Sequence, residues 1–141
     1  MANIRNIGSA VRKARNWRPA SGQIRLRPGA LELLDIHPLL ARIVEALGTN
    51  AAARVLGADR AQVSRWRSRK EPIGAEMARR VIDLHDVLTR ILRVYDPDTA
   101  ALWLVGSEPL LGGARPIDVM AIEGASPVIR AIDGIAQGVY A

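Results

Sequence analysis

The 141-residue sequence contains no cysteine and no phenylalanine, and only 4% of its residues are aromatic. The absence of cysteine excludes disulfides, thiolate metal sites and cysteine nucleophiles. No apolar run approaches the roughly 20 residues that a membrane-spanning helix needs, and the N-terminus has no hydrophobic segment typical of a secretory signal. We therefore expect a cytoplasmic protein with no membrane partner.

Histidine is nearly as scarce, and the residues that could support catalysis are poorly arranged. His37 and His85 lie far apart in the sequence, and neither has the HxxxH spacing of a metal site. The Gly112-Gly113 pair lacks the Lys-Ser/Thr that follows in a phosphate-binding loop. Asp96 and Asp98 flank a proline in a context that favours helix capping over acid–base chemistry. These features predict a protein that is not an enzyme and has no metal or cofactor.

Charge is distributed unevenly along the chain. Residues 1–35, which we call the basic arm, carry seven basic and two acidic side chains. Residues 36–95 carry eleven and six, whereas residues 96–141 carry two and six. A basic front and an acidic back indicate two surfaces with different partners. We expect the basic arm to be flexible, with contact to nucleic acid as the alternative.

The apolar residues follow helical spacing from Pro38 onward, and Ala, Leu, Ile and Val dominate the composition. Gly and Pro residues divide the chain into short helices, and no stretch alternates in the manner of a strand. We predict an all-α protein: a helix-turn-helix bundle over residues 36–95, followed by a small helical domain over residues 96–141. Thr49 or Asn50 is expected to cap the helix that ends at Gly57, and Asp59 to cap the next one.

The longest predicted helix spans residues 75–94. Its apolar residues step by four and three, which forms a seam that could pack within the domain or across a homodimer. The seam consists of Met77, Val81, Leu84, Leu88 and Ile91.

Residues 49–68 have the pattern of a helix-turn-helix. Two helices that cross at a tight turn need a small residue at the crossing and a glycine in the turn, and Ala53 and Gly57 meet these needs. The positions that should point inward are apolar: Ala52, Leu56, Ala58, Val63 and Trp66.

The second helix of this pair would expose a small, polar and basic face. Arg65 can bind guanine in bidentate fashion and Gln62 can bind adenine, while side chains past the helix are expected to contact phosphate. The alternative is a merely solvated face. The predicted DNA-binding residues are Arg60, Gln62, Ser64, Arg65, Arg67, Ser68, Arg69 and Lys70, of which Arg67, Arg69 and Lys70 are placed beyond the helix.

The C-terminal third resembles a known family. Its marks are Trp103, the Leu111-Gly112 turn, Arg115-Pro116-Ile117-Asp118, Glu123-Gly124 and the ending Gly138-Val139-Tyr140-Ala141. Together with the helix-turn-helix, these marks make residues 38–141 similar to the Xre/MbcA/ParS-type antitoxins. The basic arm departs from the shorter members of that family.

The resemblance implies that the protein belongs to a type II toxin–antitoxin pair and represses its own operon by binding operator DNA. The implied partner is a RES-domain toxin that consumes NAD⁺, and the C-terminus of the antitoxin obstructs the toxin's active site. On this resemblance, residues 96–141 form a toxin-binding domain. The residues assigned to toxin binding are Trp103, Arg115, Gly138, Val139, Tyr140 and Ala141. A stand-alone helix-turn-helix transcription regulator is the main alternative, and an interaction protein with a vestigial helix-turn-helix is a third.

Overall fold

The computed structural model describes Trp17 and residues 35–138, and every regular element in this part of the chain is helical. The prediction of an all-α fold is therefore confirmed. The elements are α1 (His37–Leu47), α2 (Thr49–Leu56), α3 (Arg60–Arg67), α4 (Ala75–Ile91), α5 (Pro97–Val105), a 3-10 turn (Pro109–Leu111), α6 (Pro116–Glu123) and α7 (Ser126–Ala136). None of these helices combines the length and the apolar character needed to cross a bilayer.

Two glycines and one aspartate set the limits of the first three helices. Gly48, at φ 85°, ends α1 and donates its N–H to the carbonyl of Val44. Gly57, at φ 69°, ends α2 in the left-handed backbone conformation that residues other than glycine rarely adopt. The carboxylate of Asp59 accepts the backbone N–H of Gln62 at 2.7 Å and so caps α3 as predicted.

The predicted cap of α2 is wrong. Thr49 and Asn50 are themselves helical, and Gly48 occupies the N-cap position without any side-chain hydrogen bond. The turn between α1 and α2 is too short for a separate capping residue, because one glycine ends the first helix and begins the second. The start of α5 is better specified, since Asp96 accepts the N–H of Thr99 at 2.7 Å.

The long helix α4 lies at the centre of the core. The predicted seam is buried within the chain: Val81, Leu84, Leu88 and Ile91 are each at most 1% exposed, while Met77 is half-buried. Burial of each such side chain stabilises the fold by roughly 1.5–3 kcal/mol. The seam joins one cluster with apolar residues of α1, namely Leu39, Leu40, Ile43 and Val44.

The core continues into the C-terminal helices. Ala100 and Leu104 of α5, and Val128 and Ile132 of α7, belong to the same buried cluster as the helices before residue 96. The predicted domain boundary falls at the break between α4 and α5, where the chain changes direction but the apolar interior does not end. The division into two domains therefore stays a prediction about function.

Trp17 packs against α4. Its ring lies 5.0 Å from the His85 ring, centroid to centroid, and its Nε1 donates to the Thr89 hydroxyl at 3.2 Å. Burial lowers the pKa of His85, which favours the neutral imidazole beside the indole. Apart from Trp17 and Asp35, the basic arm lies outside the described residues, and its flexibility stays a prediction.

Candidate functional site

Helices α2 and α3 form a tightly packed pair joined by the three residues 57–59. Ala53 is 4% exposed where the helices cross, and the N–H of Ala58 donates to its carbonyl at 2.9 Å. Leu56, Val63 and Trp66 are each at most 2% exposed. The predicted inward positions are therefore confirmed, apart from Ala58, which is only half-buried.

The opposite side of α3 is open to solvent. Arg60, Ser64 and Arg65 are exposed, and Gln62 is half-buried beside the Asp59 cap. The side chains on this face range from the short Ser64 to the long, cationic Arg60 and Arg65, so the face is polar and basic. One predicted placement is wrong, because Arg67 is the last residue of α3 and does not lie beyond it.

The residues after α3 close it in a Schellman arrangement. The N–H of Arg69 donates to the carbonyl of Trp66, and the N–H of Lys70 donates to the carbonyl of Arg65. Arg69 takes the left-handed position at φ 62°, where glycine is usual, so its backbone is strained. Arg69 and Lys70 are both exposed past the helix, as predicted.

Two of these arginines have acidic partners within the chain. Arg65 Nε lies 3.8 Å from Glu71 Oε1, and an Arg69 nitrogen donates to Asp35 Oδ2 at 3.2 Å. Hydrogen bonds from the backbone N–H and the ring of His37, together with Arg69, lower the pKa of Asp35. Such exposed pairs are worth about 0–1 kcal/mol, so they can be exchanged for stronger partners.

A second candidate surface surrounds the loop between α5 and α6. Trp103 Nε1 donates to Glu108 Oε2 at 2.6 Å, and Glu108 Oε1 accepts the N–H of Leu110 at 2.9 Å. Glu108 is only 4% exposed, and Trp103 is half-buried against the core. The predicted toxin-binding residue Trp103 thus anchors the loop. Its partner Glu108 was not identified from the sequence, although a carboxylate before Pro109 is a capping signal.

Arg115 lies at the other end of this loop. Its guanidinium forms two hydrogen bonds to the Asp118 carboxylate, at 2.7 and 3.0 Å, and so fixes the first turn of α6. The interaction raises the pKa of Arg115 and lowers the pKa of Asp118. Arg115 is exposed, so part of its fork remains open to a partner.

The C-terminal helices also expose large apolar side chains. Leu102 of α5 is 62% exposed and Ile122 of α6 is 84% exposed, while Leu110 in the loop is 38% exposed. Of the four large exposed apolar residues in the described part of the chain, only Val94 lies outside this segment. These three side chains are candidate contacts for a protein partner.

The predicted C-terminal plug is described only at its first residue. Gly138 is exposed just after α7, at φ 76°. Val139, Tyr140 and Ala141 lie outside the described residues. Among the described side chains, no group of three or more His, Cys, Asp or Glu residues is placed to hold a metal ion.

Comparison with known proteins defines the fold. No protein-family model matches the chain, and no curated protein matches it by sequence. The solved structure that matches is a helical chain from a toxin–antitoxin assembly. It belongs to the crystal structure of the M. tuberculosis MbcT–MbcA toxin–antitoxin complex, at a TM-score of 0.61 and 23% sequence identity. The match covers 77% of this chain and 99% of that chain, so the two share one fold, in agreement with the resemblance of residues 38–141.

Proposed function

We propose that the protein is the antitoxin of a type II toxin–antitoxin pair, with a RES-type NAD⁺-consuming toxin as its partner. The observation that carries the proposal is the fold shared with a chain of the MbcT–MbcA complex over 77% of the sequence. The family-like residues of the C-terminal third support it independently. The protein acts in the cytoplasm by binding and has no catalytic step of its own.

The toxin contacts the segment formed by α5, α6, α7 and their loops. Leu102 and Ile122 supply apolar area, and the loop held by the Trp103–Glu108 hydrogen bond supplies a rigid edge. Rigid contacts favour affinity because little conformational entropy is lost on binding.

The C-terminus obstructs the toxin's active site. Val139 and Tyr140 carry large side chains with mainly apolar surface, and they follow directly on Gly138. Burial of the two side chains contributes about 3–6 kcal/mol before the ordering of the tail is subtracted.

The same protein binds operator DNA as a homodimer and represses its own transcription. The exposed face of α3 enters the major groove, where Arg65 exchanges Glu71 for a guanine edge. Arg69 exchanges Asp35 for a phosphate. Two-fold symmetry places the half-sites about 34 Å apart, one turn of the duplex.

NAD⁺ loss by the purified pair tests the proposal. We expect full-length antitoxin to suppress NAD⁺ loss, and deletion of residues 138–141 to release activity more than it weakens complex formation. DNA binding by the truncated protein should be unchanged, which serves as the control for folding. If both forms inhibit NAD⁺ loss equally, the C-terminal residues do not obstruct the active site. If the two proteins form no complex, the protein is not the antitoxin of this toxin.

A stand-alone transcription regulator remains the second candidate, because the exposed basic face of α3 alone would suffice for it. Co-purification with the product of the adjacent gene separates the two functions. An antitoxin should retain that product through two chromatographic steps, whereas a regulator should elute alone and still shift operator DNA.

A further inference from the structure

A cleft of about 230 Å³ lies where α2 and α4 face α6. This is many times the space that one water needs, and it is enough for a long side chain. One wall is apolar and is formed by Val55, Leu56, Leu84, Ile117 and Met120. The cleft therefore has space and apolar surface that none of the contacts described above uses.

Most charged groups at the cleft are already paired. Arg115 is held by Asp118 in two hydrogen bonds. Arg80 donates to the Glu76 carboxylate at 3.0 Å and to the carbonyl of Leu56 at 3.4 Å. Both guanidinium groups therefore already have partners within the chain.

Asp83 is different. Its carboxylate lines the cleft and is half-buried, yet it forms no direct hydrogen bond or ion pair with another described residue. Burial raises the pKa of Asp83, with Asp86 acting in the same direction and Arg79 opposing. A cation or a hydrogen-bond donor placed against such a partly desolvated carboxylate stabilises its charged form.

We propose that this cleft binds a guanidinium or ammonium group carried on an aliphatic stem. Asp83 receives the cation, and the apolar wall packs against the stem, as it does for the amphipathic side chains of arginine and lysine. A free alkylguanidine and an arginine side chain of a protein partner share this chemistry. The site goes beyond the proposed function and does not depend on it.

The proposal is tested on the full-length chain with n-butylguanidinium chloride as the probe. Methyl NMR follows Leu84, Ile117 and Met120 at constant ionic strength, and N-butylurea serves as the neutral control of the same shape. We expect saturable shifts at these methyls, with the neutral compound binding about tenfold more weakly. Equal binding of the two compounds would overturn the proposal, because the cation would then play no part.

Asp83→Asn should lower the affinity for n-butylguanidinium by about the same factor of ten. The variant is expected to fold, since it removes a desolvated charge that has no direct partner. Asp86→Asn is the matched control, because Asp86 is exposed on the same helix and does not line the cleft. Undiminished binding by Asp83→Asn, or an equal loss in both variants, would contradict the assignment.

Acid should weaken binding in a defined way. Because burial raises the pKa of Asp83, its carboxylate becomes protonated at a higher pH than an ordinary aspartate, and affinity should fall as the pH drops through that value. The hydrogen bonds between Arg115 and Asp118 lower the pKa of Asp118 and raise the pKa of Arg115, so both groups keep their charge in this range. Affinity independent of pH would contradict the role of Asp83.

The source of the cation is identified by a second titration. A blocked peptide with one central arginine should bind more tightly than n-butylguanidinium if the natural ligand is a partner's side chain. Equal or weaker binding by the peptide indicates a free small molecule. Failure of both ligands to shift the cleft methyls would overturn the site itself.

Discussion

The α2–α3 pair and the α5–α7 segment share one apolar core, but the surfaces that they expose differ in chemical character. The first exposes arginines around a small polar face, while its large apolar side chains are buried. The second carries six of the chain's acidic residues and two basic ones from residue 96 onward, and it exposes Leu102 and Ile122. One apolar core can therefore support two surfaces of different chemistry, each suited to a different kind of partner.

The two regions also differ in how their polar groups are held. Around α3, Arg65 and Arg69 form exposed ion pairs that a stronger partner can replace. In the α5–α6 loop, the hydrogen bond from Trp103 to Glu108 is largely removed from water and is much harder to break. The arginines of the basic surface can therefore change partners on binding, whereas the α5–α6 loop already has a fixed conformation before binding.

Salt should separate the two surfaces most strongly. If a dimer neutralises about six phosphates, log affinity for operator DNA falls with log salt at a slope near −5, a loss of about a thousandfold between 50 and 200 mM. Toxin affinity should change by less than about threefold over the same range, because the contacts proposed for Leu102 and Ile122 are apolar. Fluorescence anisotropy and calorimetry measure the two slopes. If the two affinities fell with similar slopes, the two surfaces would not differ in their dependence on charge.

Loss of the common core should damage both surfaces together. Leu84→Ala should lower the free energy of unfolding by roughly 2–5 kcal/mol, because Leu84 is 1% exposed in the centre of the core. Leu102→Ala, at a 62% exposed position, should cost less than about 0.5 kcal/mol and weaken toxin binding only. Urea denaturation gives both values. A small effect at Leu84 would mean that the helix phase is wrong.

Glu108 tests the preformed loop. Glu108→Ala should lower stability by about 1–3 kcal/mol, because it leaves the N–H groups of Trp103 and Leu110 without their acceptor. Glu108→Gln keeps one side-chain acceptor and should lose less. Toxin affinity should fall in the same order, with operator binding unchanged. If alanine and glutamine behave alike, the hydrogen bond from Trp103 is not what fixes the loop.

Substitutions of Arg69 should have the smallest effect, and they distinguish the cost of backbone strain from the loss of the positive charge. Arg69→Gly and Arg69→Ala both remove the cation, so both should weaken operator binding equally for all sequences. The glycine variant should be more stable than the alanine variant by about 1 kcal/mol, because φ is 62° at this position. Thermal melts supply the stability difference. Identical melts would show that the left-handed turn carries no strain.

The sequence predicted the local features of this fold well, because they depend on neighbouring residues. Gly57 ends α2 where expected, and Asp59 caps α3. The four-and-three spacing placed Leu84 in the core. Such features follow from backbone conformation and helical periodicity, which act over a few residues.

Long-range features were not predicted. The partner of Arg69 is Asp35, 34 residues earlier, and nothing local signals that pair. The cleft exists only because α6 packs opposite α2 and α4, so Asp83 had no distinguishing mark in the sequence. Glu108 was missed for a similar reason, since its burial depends on the core and not on its neighbours. The site's chemistry depends on tertiary packing that periodicity cannot supply.

The contact of Trp17 with α4 gives the protein an internal optical reporter. The indole lies against the ring of His85, and an imidazolium quenches indole emission more strongly than neutral imidazole does. Since burial lowers the pKa of His85, the emission of Trp17 should stay constant at neutral pH and fall only in acid. A ligand or partner that displaces the indole from His85 would change this emission without any added label.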